Sequence, residues 1–186
     1  MHSPVWYAAY GSNLCAERFA CYLAGGRPEG ASRTYTGCRD TSAPTGIRPV
    51  LLPGSVFFGG VSRVWGGGMA FYDPALPGPA YAAAYRIKAE QFADVWCQER
   101  HQPVGALLPL DTIVAEGDWR AGEGRYDRVL VVGFINREPV LTFTFGGLRP
   151  PANPPAPAYA AMIARGLSHA YGLGPGAAVT RQRARR

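Results

Sequence analysis

Residues 5–19 read VWYAAYGSNLCAERF, an apolar run that halts at Tyr10-Gly11-Ser12-Asn13 and turns at once into a helical pattern. Val5 to Ala9 is apolar on both faces, as expected of a strand in the middle of a sheet. Asn13 is placed to cap a helix over Leu14 to Leu23, in which Cys15, Phe19, Tyr22 and Leu23 share one face and which Gly25-Gly26 ends. A strand that passes through a glycine-containing turn into a helix leaves several backbone N–H groups unpaired, and these suit an anionic or carbonyl-bearing ligand. Gly11 admits close approach to the backbone, while Ser12 and Asn13 add side-chain donors and acceptors. An ordinary Asn cap after a tight turn would leave the same sequence.

Further on, residues 31 to 55 carry prolines on both sides of a short apolar run, IRPVLLPG, which suggests a sheet edge or an irregular loop. From Val56 three strands are expected, VFFGGVSRVW, GGMAFYDP and AYAAAYRIK, separated by glycine and proline. The glycines of GGVSRVWGGG, 59 to 68, fit crowding at a barrel corner. Between 101 and 125 the only element expected is one short strand around Thr112 to Ala115. Two strands, RVLVVGFIN and EPVLTFTFG, form a hairpin, and a connector of polyproline character, RPPANPPAP, precedes a last helix over Pro157 to Tyr171 with Gly172 after its end. Strands dominate the middle and no regular alternation with helices occurs, so the expected class is α+β, with a small mixed β-barrel flanked by helices.

The 186 residues, 47% of them hydrophobic, support one substantial core and one domain, 1–174. The net charge of +6 is concentrated at the end: four of the last six residues, RQRARR, are Arg, and the remainder carries about +2. Residues 175–186 therefore read as a basic, disordered tail, and no nucleic-acid partner is expected. Met1 to Trp6 lacks the pattern of a secretory leader, and no apolar stretch approaches the length of about 20 residues that crosses a membrane. The four cysteines, Cys15, Cys21, Cys38 and Cys97, lack C-x-x-C spacing and read as free thiols of a cytoplasmic protein. His2, His101 and His169 are scattered, so no metal site is expected.

The helix AEQFADVWCQER, Ala89 to Arg100, carries a carboxylate on its apolar face. At 100° per residue, Phe92, Val95 and Trp96 define the buried stripe, and Glu99 falls back onto its centre, whereas Glu90 and Asp94 point the other way. An ionised carboxylate buried without partners is costly: it finds donors, borders a cavity open to water and substrate, or takes up a proton. Each of these suits a general acid/base. A glutamate in a last helical turn can also simply reach solvent.

Taken in order, YAAYGSNL (7 to 14), WGGGMAFYDP (65 to 74), AYRI (84 to 87), QE (98 to 99) and PPAPAYAAMIARGLSHAYGL (154 to 173) resemble the γ-glutamylcyclotransferase-like family over about half of the chain. The resemblance implies a small α+β barrel. It implies that the turn of Tyr10, Gly11, Ser12, Asn13 and Leu14 holds a γ-glutamyl group largely through backbone amides, that Glu99 is the acid/base, and that Tyr126 contacts substrate. Arg100 stands where the family often has glycine. The implied reaction releases 5-oxoproline from a small-molecule γ-glutamyl amine or amino acid, by attack of the substrate's own α-amine, with no cofactor and no metal. Two other classes remain open. One is a non-catalytic binding or scaffold module on the same fold. The other is a hydrolase using Ser12 or Cys15, which would need a histidine within reach and has no G-x-S-x-G motif.

Overall fold

The computed structural model describes residues 4–172. In chain order the elements are β1 (Val5–Ala9), a 3-10 turn (Ser12–Leu14), α1 (Ala16–Ala24), β2 (Gly46–Leu52), β3 (Ser55–Gly59), β4 (Met69–Asp73), β5 (Ala80–Ile87) and α2 (Ala89–Glu99). They continue with α3 (Leu110–Glu116), β6 (Asp118–Arg120), β7 (Arg128–Ile135), β8 (Glu138–Thr144) and α4 (Pro157–Tyr171). Six strands form one sheet in the order β2-β5-β1-β8-β7-β6, and β3-β4 is a separate hairpin. β1 is central and buried throughout, antiparallel to β5 and parallel to β8; every other pairing is antiparallel.

The α+β class holds, but the sheet is not closed into a barrel. β8 has β1 on one side and β7 on the other, so it offers no free ladder to the β3-β4 hairpin. β4 docks on it through a side chain instead: Thr144 Oγ1 accepts from the Tyr72 amide at 3.1 Å and donates to the Tyr72 carbonyl at 2.7 Å. The two ends of the sheet stay open because β6 has three residues and β2 contains Pro49, which has no N–H to give a further strand. β2 is thus the edge that its prolines suggest.

Tyr7 of β1 ties the layers together. Its ring lies 5.2 Å from Phe143 of β8, 5.4 Å from Phe19 of α1 and 5.9 Å from Phe92 of α2, centroid to centroid. Burying each such ring contributes about 1.5–3 kcal/mol. The β7-β8 hairpin closes through Asn136 and Arg137, both at positive φ (51° and 67°), the left-handed pair that a two-residue hairpin turn requires. α4 spans the expected residues and ends at Gly172, which is left-handed at φ 61°.

Three further expectations need correction. Residues 112–115 lie in α3, not in a strand: Asp111 sits in its first turn and left-handed Gly117 ends it, with β6 following. The strand that begins near Val56 stops at Gly59, and 60–68 is a loop. Its glycines are needed against the proline-rich connector, since a Cβ on Gly67 would lie 2.7 Å from the Ala156 nitrogen and one on Gly68 would collide with the Asn153 carbonyl. Asp94 does not point to solvent. It is fully buried, accepting from the Arg39 and Gly105 amides at 2.9 Å each, because the loop after α2 folds over that face. Arg39 Nη2 completes the pair at 3.1 Å. The four cysteines are unpaired, and no helix among the described residues is long and apolar enough to cross a membrane. The tail expected at 175–186 lies outside the described residues.

Candidate active site

The turn after β1 is held from below. Tyr85 of β5, itself buried, donates to the carbonyls of Asn13 at 2.9 Å and Leu14 at 3.1 Å. Tyr10 anchors the strand end by donating to the Phe143 carbonyl at 2.7 Å. Within the 3-10 turn the Leu14 amide bonds back to the Gly11 carbonyl at 3.0 Å, which leaves the amides at the start of the turn without partners inside it. α1 then begins two residues later than expected, with Cys15 as its N-cap and no side-chain cap bond.

Asn13 is not the cap because its side chain is engaged elsewhere. Its Nδ2 donates to Glu99 Oε1 at 3.0 Å, and the Tyr7 hydroxyl lies 3.4 Å away. Glu99, half-buried at the last turn of α2, therefore has both a donor and a cavity. It shares with the turn a hollow of about 580 Å³, counting its open mouth. Of the residues singled out in the sequence, Tyr10, Gly11, Ser12, Asn13, Tyr126 and Glu99 line this hollow. Leu14 stands apart: its side chain packs against Gly166 of α4. Tyr126, at positive φ (52°), donates to the Ala70 carbonyl at 3.0 Å, and Trp96 Nε1 donates to its carbonyl at 2.8 Å.

Three tyrosines of the hollow, Tyr7, Tyr126 and Tyr159, stay protonated. Burial, and after it the negative charge of Glu99, raises the Tyr7 phenol well above its ordinary range. Burial, with Tyr159, Tyr10 and Glu99 following, does the same to Tyr126, and burial pushes Tyr159 up to about 12. At the mouth, partial desolvation of its ring and the guanidiniums of Arg33, Arg125 and Arg63 draw His101 down to about 4, so that it is neutral at pH 7.

Arg18 belongs to the same hollow and escaped the sequence reading. It is 3% exposed, and Nε donates to Ser12 Oγ at 2.6 Å while Nη2 reaches the hydroxyls of Tyr35 at 3.0 Å and Tyr22 at 3.3 Å. Its guanidinium carbon lies 5.1 Å from the Trp65 ring centroid and 5.4 Å from those of Tyr22 and Tyr35. Burial opposes its charge, and Tyr22, Tyr35 and Glu99 outweigh that, so it holds its proton more firmly than an ordinary arginine. A usable signal existed: Arg18 stands three residues after Cys15 and four before Tyr22, at the edge of the apolar stripe of its helix. Trp65 and Tyr159 also line the hollow; the Tyr159 hydroxyl accepts from the Ala70 amide at 3.2 Å.

No protein-family model matches the chain. Among solved structures, a γ-glutamyl cyclotransferase superposes with a TM-score of 0.54 at 16% identity, over 91% of this chain and 81% of that one. The fold is that of γ-glutamyl cyclotransferase. An uncharacterized human protein superposes on this chain equally well, with a TM-score of 0.54 at 16% identity over 90% of this chain and 80% of its own. In sequence, a protein from Arabidopsis thaliana named histone deacetylase 5 is 36% identical over 183 residues, 88% of this chain. The chain spans 28% of that protein's length, and the deacetylase name describes the whole of it. Among the described residues no group of three or more His, Cys, Asp or Glu is arranged to hold a metal ion.

Proposed function

We propose that the protein is a γ-glutamyl cyclotransferase-like enzyme that releases 5-oxoproline from a γ-glutamyl amine or amino acid. The observation that carries this reading is the Glu99 carboxylate, fixed by Asn13 Nδ2 at 3.0 Å on the wall of the hollow that the Tyr10–Asn13 turn also lines. The fold supports it independently.

In this reading the substrate's α-nitrogen attacks its own γ-carbonyl carbon. One C–N bond forms, closing the five-membered lactam, and the bond to the departing amine breaks. Two protons leave the α-ammonium and two arrive on the leaving nitrogen, so a single carboxylate that accepts and returns them in turn satisfies the balance. Glu99 has that role. The nucleophile is part of the substrate, so the enzyme's contribution is to hold chain and ammonium in the folded geometry that cyclisation needs. Amides of the Gly11–Asn13 turn stabilise the oxygen of the γ-carbonyl as it gains charge. Tyr126, fixed through its hydroxyl and its carbonyl, forms part of the wall against which the glutamyl chain lies.

The test is direct: incubate the purified chain with a panel of γ-glutamyl amino acids and γ-glutamyl amines and measure 5-oxoproline. Release from at least one member, at a rate well above spontaneous cyclisation, is expected. Binding without release across the panel would favour a module on this fold that recognises γ-glutamyl compounds and does not turn them over.

A further inference from the structure

Among the described residues, four buried side-chain polar atoms lack a hydrogen-bond partner: Asn13 Oδ1, Arg18 Nη1, Trp65 Nε1 and Arg165 Nε. Buried polar atoms are rarely left unpaired, and here the first three belong to residues lining one hollow. Two of them, Arg18 Nη1 and Trp65 Nε1, are donors. The third is an acceptor, because the carboxylate of Glu99 takes the Asn13 amide nitrogen and so fixes which end of that amide is oxygen.

The charges follow the same division. Arg18 is bonded to three neutral hydroxyls, those of Ser12, Tyr22 and Tyr35, and no carboxylate among the described residues lies within ion-pair distance of it. A buried guanidinium whose direct partners are all neutral, and which keeps one nitrogen unpaired, is fitted to receive an anion. Trp65, Tyr22 and Tyr35 hold its guanidinium with their rings while leaving one nitrogen unused. On the other side Glu99 and the unpaired Asn13 oxygen call for a cation that donates. Neighbouring residues of one turn set the two halves apart, since Ser12 holds Arg18 and Asn13 holds Glu99.

We infer that the hollow is a receptor for the zwitterionic head of an α-amino acid, whose carboxylate bonds Arg18 Nη1 and Trp65 Nε1 and whose ammonium bonds Glu99 and Asn13 Oδ1. This deepens the cyclotransferase reading by assigning the α-carboxylate to Arg18 and Trp65, which leaves the turn amides for the γ-carbonyl. Arg18 is then the residue that selects γ-glutamyl compounds over amides without an α-carboxylate. It also pins the α-carbon so that the nitrogen beside it faces the carbonyl it attacks.

Calorimetric titration tests the assignment with three probes: L-glutamine, which has both charged groups; glutaramate, which lacks the α-amine; and 4-aminobutanamide, which lacks the α-carboxylate. Titrations use the Glu99→Gln background, whose amide oxygen still accepts from an ammonium and which suppresses turnover. Adding Arg18→Gln is expected to weaken L-glutamine and glutaramate by about 10- to 100-fold, the effect of losing a charge-assisted pair, while 4-aminobutanamide is unaffected. Trp65→Phe, which keeps the ring over Arg18 and removes Nε1, should weaken the two carboxylate probes several-fold. If Arg18→Gln fails to fold, Trp65→Phe and the ranking of the three probes on the parent protein carry the test. Equal losses for all three probes on Arg18→Gln, unchanged L-glutamine affinity, or no L-glutamine binding to the parent protein would each overturn the inference. Its failure is separable from that of the proposed reaction. Arg18-dependent binding without 5-oxoproline release in the wild type refutes only the reaction. Release with an unaltered KM in Arg18→Gln refutes only the receptor.

Discussion

Replacing Gly166 by alanine sets two effects of opposite sign against each other. Gly166 lies in the middle of α4, where alanine is favoured over glycine by about 1 kcal/mol on helix propensity alone. A Cβ at this position, however, would overlap the Leu14 carbonyl carbon, lie 2.5 Å from the Cys15 nitrogen and 2.6 Å from Leu14 Cβ. Two of these atoms are backbone and cannot rotate aside, so helix and turn must separate. Overpacking of this kind costs about 1–3 kcal/mol, and a rigid obstacle places it toward the upper end. The net expectation is a loss of about 1–2 kcal/mol, which for a chain of this size lowers the midpoint of thermal unfolding by about 2–8 °C. Calorimetry measures the midpoint, and the same samples should show weaker L-glutamine binding, because the backbone that moves leads out of the turn bearing Ser12 and Asn13. A Gly166→Ala variant that melts at or above the wild-type temperature would show that propensity wins, and that α4 does not press on the turn.

Two further perturbations address other parts of the molecule. Asp94→Ala removes a buried carboxylate that serves the Arg39 and Gly105 amides; Arg39 is half-exposed and can return to water, so the loss is that of the two amides, about 2–3 kcal/mol by urea unfolding, with faster amide exchange at Gly105. The Glu138 carboxyl is held below its ordinary range chiefly by its bond from Arg86, so its contribution is complete above the unfolded-state pKa and is lost as pH falls through the lower folded-state value. Glu138→Gln should accordingly flatten the acid limb of the stability–pH curve as the pH falls below the ordinary glutamate pKa, and an unchanged limb would rule the pair out as its source.

Local signals made parts of this structure readable in the sequence. Five consecutive apolar residues indicate a central strand wherever the rest of the chain goes, and Pro157, the apolar stripe and Gly172 bound α4 on both sides. The inward position of Glu99 follows from helical spacing alone, and the structure gives that carboxylate a partner and a hollow. Residues 112–115 aside, where local capping signals were present, the failures share a cause, which is that the deciding interaction comes from distant sequence. Asp94 reads as solvent-facing until the loop after α2 covers it. Asn13 reads as a cap until Glu99, 86 residues away, takes its amide. Whether a sheet closes depends on edges that no single strand specifies. Arg18 was missed because an arginine on a short helix ordinarily reads as solvated. What buries it is a set of aromatic rings from residues 22, 35 and 65, which only the folded chain brings together.

The central claim is that Glu99 moves the protons of cyclisation. It is tested most directly by comparing 5-oxoproline release from the best γ-glutamyl substrate, at saturation, for the wild type and Glu99→Gln, with unfolding midpoints measured on the same samples. Loss of a positioned acid/base predicts a fall in kcat of about 10²–10⁴-fold, with the midpoint nearly unchanged because the two side chains are almost the same shape. Release by Glu99→Gln at the wild-type rate would contradict the account.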